Sequence, residues 1–188
     1  DERTVQTEAA QDYWRQQCYP LAGEVLDTVL AVWNGVDALV ADMRGLVAQD
    51  LPEGAGEGAL ADCVLRERQE QHAAIAALKT GWAARAREMQ QWLDDQTAPK
   101  ECDWNRTKLK PANYTQWLEQ IADWADSPAA EPLALTKAAW SRLGPAGLHE
   151  ARKDGAPPIA LPVHCEALAA LQAAQEALPD PAVALRLH

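Results

Sequence analysis

The residues best suited to covalent or metal chemistry in this 188-residue chain are its four cysteines, Cys18, Cys63, Cys102 and Cys165. They lie 45, 39 and 63 residues apart with no CxxC pair, so a zinc ribbon or a thioredoxin-type dithiol lacks its local signature. An even number of widely spaced cysteines suits two long-range disulfides, which close large loops and restrict the unfolded chain. The competing reading is four reduced thiols packed as small apolar residues. Two of the three asparagines, Asn105 and Asn113, open Asn-X-Thr sequons for glycosylation. Cysteines and sequons together point outside the reducing cytosol, to an extracellular or cell-surface protein. A bacterial periplasmic protein, in which the sequons carry no meaning, is the alternative. Asn113, with Gln116 three residues on, also reads as a helix N-cap.

Metal binding asks for clustered ligands, and the histidines do not supply them. His72, His149, His164 and His188 form neither HxxxH nor HExxH. His164-Cys165 and His149-Glu150 are adjacent pairs, which face different ways on a helix. His72 falls on a helical stripe with Leu65, Arg68 and Ile75 and reads as a partly buried structural residue. The two serines, Ser127 and Ser141, lie outside any GxSxG turn. Acidic pairs such as Asp94-Asp95 and Asp123/Asp126 read as solvated surface. Neither a Walker A loop nor GxGxxG occurs. The expectation is a non-enzymatic chain without metal or cofactor. A small hydrolase or metal enzyme built around Cys165 and a histidine stands as a third reading.

These side chains must be positioned by helices. Hydrophobic residues make up 48% of the chain, dominated by Ala and Leu, with 8 Trp and no Phe. Ala and Leu favour helix, and the β-branched and aromatic clusters that mark strands are scarce. From Ala22 the apolar positions Val25, Val29, Val32, Val36, Leu39, Met43 and Leu46 recur at alternating three- and four-residue steps. A neighbouring stripe of Leu26, Leu30, Trp33, Val40 and Val47 asks for more than one partner helix, hence a bundle. A Pro/Gly-rich turn, Asp50 to Gly58, leads into a proline-free stretch from Ala59 to Gln96. Shorter helices follow around Tyr114–Ala125, Leu133–Leu143 and Val163–Leu178, with a long loop over 144–162. Trp33, Trp82, Trp92, Trp117 and Trp140 sit at core spacing, whereas Trp14, Trp104 and Trp124 are less constrained.

The pattern predicts an all-α fold. It is one domain over 1–188, an elongated antiparallel helical bundle built on a long hairpin of 20–49 and 59–97. Shorter helices and loops over 98–188 complete it, and disulfides stabilise it. An antiparallel hairpin brings Cys102 back towards Cys18 and leaves Cys63 at the turn. One straight helix would hold Cys63 and Cys102 about 50 Å apart, beyond bridging reach. The expected bridges are therefore Cys18–Cys102 and Cys63–Cys165.

The net charge of −11 and pI near 4.7 disfavour nucleic acid and anionic membranes as partners. No apolar run is long enough to span a bilayer. The expected role is a protein-binding module, receptor-like or ligand-like, with another protein as partner, a basic one suiting the acidic surface. A bacterial periplasmic or secreted inhibitor or immunity-type protein is the alternative. The expected contact residues are Asp50, Leu51, Glu53 and Glu57 at the hairpin turn, and His149, Glu150 and Arg152 in the long loop.

Overall fold

A computed structural model describes residues 2–47 and 49–188. It is all-helical, and its described residues form no strand beyond an isolated bridge between Trp104 and Arg152. The chain divides into two compact units, 1–71 with 179–188, and 72–178.

The first unit begins with α1 (Glu2–Tyr13), which runs on into a π-helical turn, Trp14–Cys18. Next come α2 (Gly23–Val32) and α3 (Val36–Leu46). The single helix expected over 20–49 is interrupted. Trp33 is extended, and Asn34-Gly35, two weak helix formers, separate the pieces. α3 packs on α1, and α2 packs on α10 (Pro181–Leu187). The start of α4 (Leu60–Lys79) adds Leu60, Cys63 and Val64 to the same core, beside Val29, Trp33 and Leu39. The segment Pro179-Asp180-Pro181, which follows the helix expected over Val163–Leu178, is also the entry to a further helix, α10. Asp180 caps that helix by accepting from the Ala182 N–H, and Pro181 occupies its first turn.

The helix expected over 59–97 is also divided. Gly81 adopts a left-handed φ of +78°, which ends α4 and starts α5 (Trp82–Thr97). Glycine enters that region without the Cβ penalty other residues carry. The proline-free run therefore bends at its one interior glycine.

The second unit is organised by α5 against α6 (Pro111–Asp126). Trp82, Ala86, Met89 and Leu93 recur at helical spacing on α5 and share a core with Tyr114, Leu118 and Ile121 of α6. α6 opens at Pro111 with Lys110 as N-cap, so Asn113 lies inside the first turn and is not the cap. α7 (Lys137–Leu143) is capped by the Thr136 hydroxyl, and α8 (Pro145–Glu150) forms where a loop was expected. Gly147 holds α8 against α7, because a Cβ there would overlap the Ser141 carbonyl. α9 (Val163–Glu176) packs on α5 and α7. Trp104, unconstrained by periodicity, is one of the largest buried side chains, with Arg152 stacked on it at 4.9 Å and Trp92 edge-on at 5.8 Å.

The disulfide expectation fails. All four cysteines are free thiols, and all four are buried. Cys18 and Cys63 lie in the core of the first unit, Cys102 and Cys165 in that of the second, so each bridge would have joined different cores. They serve as small apolar residues. Burial pushes the thiols of Cys18 and Cys165 up to about 11 and raises that of Cys63. With its bridges gone, the picture of a disulfide-bonded secreted or cell-surface protein is corrected too. His72 is exposed on α4, against the expectation of partial burial.

A candidate docking groove

The first unit carries a groove of about 430 Å³. One wall is α1, through Ala9 and Tyr13, and another is α3, through Leu39, Met43 and Leu46. Leu187 and His188 at the end of α10 close it. Beyond α3, the rim carries two large apolar side chains facing solvent, Val47 (63% exposed) and Leu51 (51%). These helices present a groove because the α3 stripe is wider than α1 alone can cover.

The polar atoms inside it are bound to one another. The Trp33 indole N–H donates to Asp42 Oδ2 at 2.7 Å, and Arg186 Nε donates to the same oxygen at 3.2 Å. The Tyr13 hydroxyl meets His188 Nδ1 at 2.7 Å, and its ring packs edge-on against Trp33. Burial raises the Tyr13 phenol and lowers the His188 imidazole, with Arg66 adding to the latter. Both shifts favour the neutral pair, across which either the hydroxyl or Nδ1 can donate, and His188 Nε2 is buried without a close partner. The groove is thus lined by apolar side chains around one ion pair, Asp42 with Arg186, and one hydrogen-bonded pair, Tyr13 with His188. With the thiols pushed up as well, nucleophilic strength at neutral pH is low.

A second pocket, about 390 Å³, shares Leu187 and His188 with the groove and is lined also by Glu53, Glu57 and Arg66. Asp50 is exposed between Gln49 and Leu51 of the groove rim. Among the described residues, Asp50, Glu53 and Glu57 form no ion pair. Residues 1–71 with 179–188 contain 15 Asp/Glu and 6 Arg with no Lys, a net −9 of the chain's −11.

Of the residues predicted from sequence, Asp50, Leu51, Glu53 and Glu57 fall at this groove and its neighbouring pocket. His149, Glu150 and Arg152 belong to the second unit, where His149 is exposed and the other two have side-chain partners. Glu150 takes Lys108 at 3.4 Å and Arg142 at 3.8 Å. Arg152, with a side chain 10% exposed, stacks on Trp104 and pairs with Asp103. Asn105 accepts from the N–H groups of Thr107 and Lys108, so its side chain stabilises a turn, while Asn113 is exposed. Tyr13, Trp33, Asp42, Arg186 and His188 were not singled out as site residues. The signal for the last two was Asp180-Pro181, a capped helix start followed by Val183, Leu185 and Leu187.

The second unit has a cavity of about 560 Å³ near the end of α4. Lys79 reaches across it to the Ser127 and Ala129 carbonyls and lies over the Trp124 ring, closing its one cationic side chain into the fold.

No family model matches the chain. It is similar to RecBCD enzyme subunit RecB of Escherichia coli (strain K12), with 24% identity over 126 residues. The match takes in 67% of this chain and 10% of that protein, so the chain spans about a tenth of the length of the relative it resembles.

Proposed function

We propose that this chain is a non-catalytic, protein-binding helical module that serves inside a larger, RecB-like multisubunit assembly. The observation that carries the reading is the apolar groove of the first unit, rimmed by exposed Val47 and Leu51 and lined by polar groups already bound to one another. Such a surface offers apolar burial and shape to a partner, and no group free to attack a substrate. The likeness to part of a protein named as one subunit of an enzyme gives the module a setting. Four buried, unpaired thiols suit a reducing compartment.

The test is assembly. The chain is mixed with the purified subunits of the RecBCD-type enzyme from its own source and analysed by sedimentation velocity. The reading expects a stoichiometric complex with one of them, weakened at least about tenfold by Val47→Asp with Leu51→Asp, since an interface core tolerates buried charge poorly. A chain that stays alone with every subunit sinks it.

A further inference from the structure

We infer that the groove of the first unit receives a cationic amphipathic helix from a separate polypeptide. The inference rests on the protein-binding reading above and names the chemistry of the partner.

Three observations select that occupant. Inside the groove Trp33 and Arg186 pair with Asp42, and Tyr13 with His188, which leaves the buried His188 Nε2 as the one side-chain polar atom without a close partner among the described residues. A ligand entering there gains from apolar burial, not from new hydrogen bonds. Around it the charge is one-sided. Asp50, Glu53 and Glu57 make no ion pair among the described residues, and the unit holding them is net −9 without a lysine. An apolar trough that shares Leu187 and His188 with a pocket lined by Glu53, Glu57 and Arg66, in a unit of net −9, complements a helix with leucine-type residues on one side and Lys or Arg flanking them. Finally, the described residues form no sheet, so no edge is offered for strand addition, and helix-in-groove is the mode left to a peptide.

The same charge argues against the other occupants. A second copy would bring −9 against −9. A nucleic acid or an anionic bilayer would bring phosphates against unpaired carboxylates. Only a cationic partner turns the rim from a cost into an attraction.

The experiment uses the full chain and three labelled helix-forming peptides of one apolar pattern, with polar positions Lys, Gln or Glu, followed by fluorescence anisotropy. The Leu/Lys peptide should bind saturably at one per chain, and its affinity should fall at least about tenfold from low to moderately high salt. The Gln and Glu peptides should bind at least about tenfold more weakly. Val47→Ser with Leu51→Ser should weaken the Leu/Lys peptide about tenfold. Both side chains are already exposed, so helical content should not change. Glu53→Gln with Glu57→Gln should weaken it several-fold, and Glu119→Gln with Asp123→Asn on α6, the same loss of charge elsewhere, should not.

Equal binding by the Val47/Leu51 variant, or equal effects of the two charge-neutralised variants, would mean diffuse attraction to an acidic protein and would overturn the inference. So would a Gln peptide that binds as well as the Lys peptide. A dimer of the chain that the Val47/Leu51 variant dissolves would assign the groove to a second copy and overturn it as well. If the peptides fail while a complex with a native subunit forms, only the cationic-helix inference falls. If both fail, the protein-binding reading falls with it.

Discussion

The unit over 72–178 buries eighteen described residues in one apolar cluster, against ten in the unit formed by 1–71 with 179–188. It also holds six of the eight tryptophans and all of the lysines, and its Asp/Glu exceed its Lys/Arg by 13 to 11. The other unit has a net −9, a smaller core, and exposed Val47 and Leu51 beside an unfilled groove. A large core with near-neutral charge resists opening, while self-repulsion and a small core weaken it. One unit carries the larger core, and the other carries the groove and most of the net charge.

The largest expected effect follows from the cysteines, two in each core. At urea concentrations that begin to unfold the chain, Cys18 and Cys63 should react with an aromatic disulfide reagent at least about tenfold faster than Cys102 and Cys165, since local opening sets thiol access. All four should react at once in full denaturant. Mass mapping of the labelled peptides reads the order. A common rate for all four would mean one cooperative core and would break the comparison. Gly147→Ala sharpens it. The added methyl overlaps the Ser141 carbonyl between α7 and α8, and should cost about 3 kcal/mol of the second unit's stability. Cys102 and Cys165 should then become reactive earlier, and Cys18 and Cys63 should keep their rates.

The helical class was legible because Ala and Leu dominate and the apolar residues of 22–47 and 75–92 follow a helical period. The places where that reading went wrong share a physical origin. Periodicity continues through Asn34-Gly35 and Gly81, since an interrupted helix can resume in phase, so two bent segments read as two straight rods. The bridge assignment rested on those rods. A buried thiol and a cystine look alike in sequence, and only the surroundings of Cys18 or Cys165 separate them. At the site, the acidic turn was visible as Asp50, Glu53 and Glu57. Its apolar half was not, because Tyr13, Trp33 and His188 are brought together by tertiary packing of three separated segments. The stacking of Arg152 on Trp104 was not legible, because nothing local reveals that Trp104 lies beneath it.

A smaller effect compares one tyrosine in each unit. In the second, the Tyr114 hydroxyl donates to Asp94 at 2.7 Å and contacts the Thr97 hydroxyl at 3.0 Å, and burial pushes its pKa up to about 12. Tyr114→Phe removes a buried hydroxyl whose partners keep other contacts, since Thr97 can still donate to the Leu93 carbonyl. The expected loss is about 1 kcal/mol by urea denaturation. Tyr13→Phe takes the hydroxyl from His188 Nδ1, whose other nitrogen already lacks a close side-chain partner, so a buried imidazole loses its side-chain hydrogen bond. It should cost the first unit more, about 2 kcal/mol, and equal losses would show that the two units differ in core size and not in the quality of their buried polar pairs.

The smallest effect is a pH dependence confined to the first unit. Burial lowers the His188 pKa below its ordinary value, and Arg66 lowers it further. As pH falls through about 6.5 the unfolded chain takes up this proton before the folded one does. The contribution of His188 is therefore complete above that pH and is lost as acid protonates the folded imidazole, whose charge burial disfavours. Thermal melts of the native chain and of His188→Gln, taken from pH 7.5 down to pH 5.5, should converge at the acid end once carboxylate effects common to both are subtracted. Cys18 and Cys63 labelling should speed up in acid relative to the variant, while Cys102 and Cys165 should not. Faster labelling of all four, by the same factor, would assign the acid sensitivity to net charge and not to the buried histidine.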